Sequence, residues 1–163
     1  MPAEEISTLG PPDAGGTFVD RQAIADTITR LLHAVDGRDW TAIAGVLAEQ
    51  IRTDYTSLFG GSSEIETPDE LIGAWRALLP GFDATQHLTG PILADVSGGT
   101  ARATCAVTAI HCIGRDHWTV SGYYDMELVR ADKSWRISAI TYRNVLTAGD
   151  ETLPQKALER AQR

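Results

Sequence analysis

From about residue 100 the apolar residues switch to a spacing of two and hold it to about residue 146. That run limits the chain to folds built on an antiparallel sheet. Ala101, Ala103, Cys105, Val107, Ala109 and His111 fall on one face of a strand over 100–113. Trp118, Val120, Gly122, Tyr124, Met126 and Leu128 do the same over 117–130, and a further strand follows over 134–146. Gly114-Arg115-Asp116 and Ala131-Asp132-Lys133 are hairpin punctuation between them. A strand over 86–96 precedes the run and is closed by Ser97-Gly98-Gly99. Each strand is one-sided, so something apolar must cover the inner face.

The cover comes from upstream, where the period is helical. Ile24, Ile28, Leu31, Leu32 and Val35 form one stripe of a helix opened by Asp20 as its cap. Asp39 caps a second short helix with Trp40, Ile43, Val46 and Leu47 inward. A strand over 51–59 puts Ile51, Thr53, Tyr55, Ser57 and Phe59 on one face. Thr67-Pro68-Asp69-Glu70 then carries a capping threonine, proline at the first position and glutamate three after the cap. It starts a helix that buries Leu71, Ile72, Trp75, Leu78 and Leu79 and ends at Pro80-Gly81. Helices first and strands after give an α+β chain: a strongly curved, mostly antiparallel sheet covered by N-terminal helices, a cone-shaped barrel with an interior.

At 163 residues this is one domain. Its expected limits are 17–147. A proline- and glycine-rich arm over 1–16 (or a strap onto a neighbouring subunit) lies before it. A tail over 148–163 follows, in which 154–163 fits a short amphipathic helix. A net charge of -8 argues against nucleic acid or an anionic membrane as partner, since both need a basic face. No apolar run reaches the roughly 20 residues of a membrane span, and the N-terminus has no basic start and apolar core of a signal peptide, so a cytoplasmic protein is expected. Cys105 and Cys112 sit an odd number of positions apart in one strand. They face opposite ways and read as small buried hydrophobes rather than a disulfide. No residue set has zinc spacing, and no metal is expected.

The informative residues are polar ones at inward positions. Tyr55, His111 and Tyr124 fall on apolar faces, and His87 lies near the start of its strand. Asp36 lies four after Leu32 and eight after Ile28, on or beside the apolar stripe. It reads either as a buried carboxylate or as a C-terminal turn residue before Gly37. Ala101, Ala103, Ala109 and Gly122 leave room, and Trp75 and Trp118 supply aromatic walls. That suits a small, cyclic, largely apolar substrate better than a sugar or phosphate.

Asp36-Gly37-Arg38-Asp39-Trp40 after an apolar helix, Ile51-Arg52-Thr53-Asp54-Tyr55, Thr85-Gln86-His87 and Ile110-His111 occur in that order. Together, over about Ile24 to Asn144, they resemble scytalone dehydratase and, more broadly, the SnoaL-like branch of the nuclear transport factor 2-like superfamily. The resemblance implies a cone-shaped α+β barrel with a deep pocket, no cofactor and assembly as a homodimer or homotrimer. It carries a buried aspartate–histidine pair onto Asp36 and His87. It also carries a phenol that polarises water or a substrate oxygen onto Tyr55, and a second histidine onto His111. The chain departs from the dehydratase at Val35, where that family has a second tyrosine. It departs again at Gly122 and Tyr124, where the family has serine and asparagine. The chemistry of the pair is coherent, because a carboxylate that takes one ring proton fixes the tautomer and stabilises the imidazolium. The implied activity is a lyase of dehydratase type, in which His87 abstracts a proton. A polyketide-type cyclase or isomerase would use the same pocket. A non-catalytic small subunit, like that of ring-hydroxylating dioxygenases, is the remaining alternative.

Overall fold

The computed structural model describes residues 17–163, so the arm expected over 1–16 lies outside the described residues. The elements follow in order: α1 (Phe18–Gly37), α2 (Trp40–Val46), β1 (Leu47–Asp54), α3 (Thr56–Phe59), β2 (Glu64–Glu66) and α4 (Pro68–Leu78). A 3-10 turn over Leu79–Gly81 leads into β3 (Ala84–Thr89), β4 (Leu93–Ser97), β5 (Thr100–Ile113), β6 (Asp116–Ala131), β7 (Ser134–Gly149) and α5 (Leu153–Ala161). One seven-stranded sheet runs β2-β1-β7-β6-β5-β3, with β4 beside β3 on the outer edge of β5. Only the β1–β7 pair is parallel. The sheet is curved and does not close on itself; the helices complete the cone.

The alternation read from the sequence holds in β5 and β6, which pair antiparallel from Thr100 opposite Val129 to Ile113 opposite Asp116. Their inward residues are buried at every second position. In β7 the ladder slips twice. Leu128 faces Ile137 while Glu127 faces Ala139, and Gly122 faces Asn144 while Ser121 faces Leu146, so Ser138 and Val145 are unmatched. Such bulges bend a strand and increase its twist, which is how a long meander wraps around a cavity. α1 lays Ile24, Ile28, Leu31, Leu32 and Val35 onto this inner face, all buried. At the far end of α1, Arg38 adopts a left-handed conformation (φ 55) and donates to the Phe82 carbonyl at 2.5 Å, tying the helix end to the entry of β3.

Several elements differ from the sequence expectation, each for a local reason. The cap of α1 is Thr17, whose hydroxyl accepts from the Asp20 N–H at 3.1 Å; Asp20 belongs to the first turn and pairs with Arg130 instead. The strand expected over 51–59 begins at Leu47 and stops at Asp54. The Asp54 carboxylate accepts from the Thr56 N–H at 3.0 Å and its hydroxyl at 2.7 Å, turning the chain into α3. Ser57 and Phe59 are therefore not strand residues. The strand over 86–96 is two strands, broken at Gly90-Pro91, where proline has no N–H to give a ladder. The C-terminal segment packs against the domain. Leu153 and Ala157 are fully buried, Arg160 bridges Asp83 at 2.8 Å, and α5 lies so close to Gly81 that a Cβ there would overlap the Ala157 carbonyl. The capping box at Thr67 and Glu70 forms as the sequence specifies.

Candidate active site

The inner face of the cone encloses a cavity of about 240 Å³ between α1, α4 and strands β5 to β7. At one wall the pattern of β3 brings two side chains to one carboxylate. Thr85 and His87 are two apart on a strand and so share a face. The Asp36 carboxylate, at the last turn of α1, accepts from both. The His87 Nδ1–H donates to Asp36 Oδ1 at 2.7 Å, the His87 backbone N–H to Oδ2 at 2.7 Å, and the Thr85 hydroxyl to Oδ1 at 3.0 Å. The His87 side chain is 9% exposed and that of Asp36 18%. Burial raises the carboxyl, but the His87 ring and backbone donors outweigh it and hold Asp36 below its ordinary range. Asp36 is thus an ionised partner behind His87 and not a wall of the cavity, which His87 lines. An anion on Nδ1 fixes the proton there and leaves Nε2 as the nitrogen available to a ligand.

His111, on β5, faces the same cavity between Phe82 and Trp118, with ring centroids at 4.9 and 4.7 Å; His87 is at 6.2 Å. Its Nδ1 lies 3.3 Å from the Trp118 carbonyl, an acceptor only, so this nitrogen carries the proton. Burial first, and the neighbouring His87 second, push the ring down from 6.5 to about 4. Between pH 4 and 6.5 the unfolded ring binds a proton that the folded ring refuses. Stability is therefore whole above about 6.5 and falls as pH drops toward 4, by about 3 kcal/mol in all. The midpoint of denaturant unfolding should fall with acid across that window in the parent and fall less in His111→Phe; an identical pH dependence in the variant would assign the effect elsewhere.

At the other end of the cavity stand three phenols. Tyr55 caps the start of α3. Tyr124 on β6 and Tyr142 on β7 are cross-strand neighbours with rings edge-on at 5.5 Å. Burial raises all three hydroxyls above their ordinary value, Tyr124 most, so they stay protonated, neutral donors at any physiological pH. Val35, Trp75 and Trp118 also line the cavity. Gly122 does not: a Cβ there would lie 2.0 Å from the Arg143 carbonyl oxygen, so its small size serves the close approach of β7 and not a ligand. Tyr142 and Phe82 are cavity residues that the sequence reading did not single out. Arg143 faces outward and lies 3.5 Å from Asp125. Among the described residues neither lysine nor arginine lines the cavity. Among the described residues no three of His, Cys, Asp and Glu gather as a metal site would require, and no helix is long and apolar enough to cross a membrane. A largely apolar pocket with one carboxylate-backed imidazole, one neutral imidazole and a wall of neutral phenols is equipped to move a proton and to hydrogen-bond oxygen.

The family model of the SnoaL-like domain matches residues 17–141. Among solved structures, the Kfla4162 protein of Kribbella flavida is similar over 89% of this chain and 98% of its own, with a TM-score of 0.76 at 23% identity. A Novosphingobium aromaticivorans protein provisionally named scytalone dehydratase is similar over 82% and 89%, with a TM-score of 0.68 at 22% identity. A hexachlorocyclohexane dehydrochlorinase of Novosphingobium barchaimii is similar over 82% and 91%, with a TM-score of 0.69 at 18% identity. At these identities the likeness is one of fold. No curated protein matches the sequence.

Proposed function

The chain belongs to the SnoaL-like domain family, and from that premise we propose that it is a cofactor-independent lyase of dehydratase type acting on a small cyclic hydroxylated or keto substrate. The observation that carries the reading is the His87 Nδ1–Asp36 contact of 2.7 Å, with the other ring nitrogen turned toward an apolar cavity. In the proposed reaction the Nε2 lone pair of His87 takes a proton from carbon next to a carbonyl or an activated ring. The C–H electron pair becomes the new double bond as the adjacent C–O bond breaks. The departing hydroxyl leaves as water with a proton returned by His87. Asp36 stabilises the transient imidazolium, and Tyr55 donates to the substrate oxygen on which charge builds, helped by Tyr124. His111, with a bare Nε2, accepts from a substrate hydroxyl. Incubating the purified protein with a panel of cyclic hydroxyketones should give a conjugated product by ultraviolet absorbance and loss of one water by mass spectrometry. Rearranged product of unchanged mass would move the assignment to an isomerase or cyclase in the same pocket.

The same proposal includes self-association through the outer sheet face, and a cytoplasmic location. That face leaves Leu88, Tyr123, Val145 and Leu146 exposed around Ala106. Along β5 on that face Ala106 is exposed, while Thr104, Thr108, Ile110 and Cys112 are half-buried. A contiguous apolar patch on a strand face is unusual for a monomer. Sedimentation at micromolar concentration should give a dimer or trimer, and Leu146→Asp should shift it to monomer; a monomeric parent would remove this part of the proposal.

A further inference from the structure

The Thr85 side chain makes one hydrogen bond among the described residues, and it goes to Asp36 Oδ1, the same oxygen that receives the His87 ring proton. We propose that Thr85 is a positioning residue: its hydroxyl fixes the plane of the Asp36 carboxylate and thereby the ring tautomer of His87. This rests on the reading of His87 and Asp36 as the working pair.

The torsion that turns an aspartate carboxylate is broad and two-fold, so a carboxylate held at one oxygen is poorly oriented. Here Oδ2 is held by the His87 backbone N–H, a donor that β3 keeps in place. That leaves Oδ1 to define the rotation. If the imidazole were its only partner, ring and carboxylate would each depend on the other for orientation. Any swing of the ring would free Oδ1 and leave the carboxylate held at Oδ2 alone. Thr85 supplies a donor to Oδ1 that does not move with the ring. Being β-branched, it has few rotamers in a strand. The strand spacing of two makes the arrangement automatic: one carboxylate spans the Thr85 hydroxyl and the His87 N–H and ring, and β3 alone provides all three donors.

The surroundings offer no substitute. From β5 the only titratable group facing the pair is His111, at 6.2 Å between ring centroids, and its own Nδ1 proton is engaged by Trp118. From the turn before β3 the neighbour is Phe82, which packs on His111. Among the described residues no other group donates to the Asp36 carboxylate.

The tautomer can be read without a substrate, by long-range ¹H–¹⁵N correlation on the ¹⁵N-labelled full chain above neutral pH. In the parent protein and in Thr85→Ser, His87 should carry its proton on Nδ1. In Thr85→Val, and in Thr85→Ala as a second variant that removes the hydroxyl, the Nε2–H form should rise about tenfold, the equivalent of one ordinary hydrogen bond. His111, held by a backbone carbonyl, should keep its Nδ1–H form throughout and serves as the internal reference. An unchanged His87 tautomer in both Val and Ala variants would overturn the proposal. So would a change in Thr85→Ser as large as in Thr85→Val, which would assign the effect to lost methyl packing. Because no turnover is measured, the tautomer result stands or falls independently of the lyase assay.

Discussion

Replacing His87 by alanine is expected to lower turnover of any accepted substrate by roughly 10²–10⁴-fold while leaving the melting temperature within a few degrees of the parent. The kinetic half follows from the role: with the ring gone, no other basic nitrogen among the described residues is hydrogen-bonded to the carboxylate. His111 cannot replace it, because its proton sits on Nδ1 against a carbonyl and burial resists a second one. The stability half follows from the geometry of Asp36. Truncating one partner of a buried ionic pair is usually severe, because it strands the other charge. Asp36 is not stranded, since Thr85 and the backbone N–H of residue 87 still donate to both of its oxygens. Asp36→Asn should give a comparable kinetic loss by a different route. An amide nitrogen presented to Nδ1–H repels it, so the ring adopts the other tautomer and turns a proton instead of a lone pair toward the cavity. Steady-state kinetics beside thermal melts tests both halves, and activity within threefold of the parent in His87→Ala would remove histidine from the mechanism.

The pair came from the family resemblance, since the residues alone left Asp36 open between a buried carboxylate and a turn residue and placed His87 only near the start of a strand. An aspartate on an apolar helical stripe and a histidine without metal partners each need a partner, and each satisfies the other. The helices were legible from the residues themselves: Thr67-Pro68-Asp69-Glu70 is a local instruction, and the structure follows it. What escaped depends on contacts distant in sequence. Tyr142 was missed because the inward positions of β7 are odd up to Ile137 and even from Ile140, a change of parity set by the bulge at Ser138. Nothing local marks that serine as the place where the ladder slips. α3 was missed because the strand pattern ran on through Tyr55 to Phe59, and only the Asp54 carboxylate turning back on Thr56 interrupts it. The docking of α5 hinges on Gly81, seventy-odd residues upstream of the helix it admits, which periodicity cannot see.

Gly122 shows the same limit with the largest consequence for stability. Read from sequence it is open space beside a substrate; in the fold it is the point where two strands nearly touch. An added methyl would meet the Arg143 carbonyl oxygen at 2.0 Å, its carbon at 2.9 Å and the Tyr142 hydroxyl at 3.1 Å. The first two are backbone and cannot rotate away. Nor can β7 shift locally, because Ser57 holds it from the other side, its hydroxyl donating to the Tyr142 carbonyl at 2.7 Å and accepting from the Asn144 N–H at 2.9 Å. Gly122→Ala should therefore cost about 3 kcal/mol or more, at or above the upper end of ordinary overpacking, and lower the midpoint of urea unfolding accordingly. The strain should also reach the cavity, since the residue pushed is the neighbour of Tyr142. A substitution that crowded only a ligand would behave oppositely, leaving the unfolding midpoint unchanged and weakening binding alone. Urea unfolding of the unliganded protein separates the two, and a midpoint equal to the parent's would return Gly122 to the substrate wall.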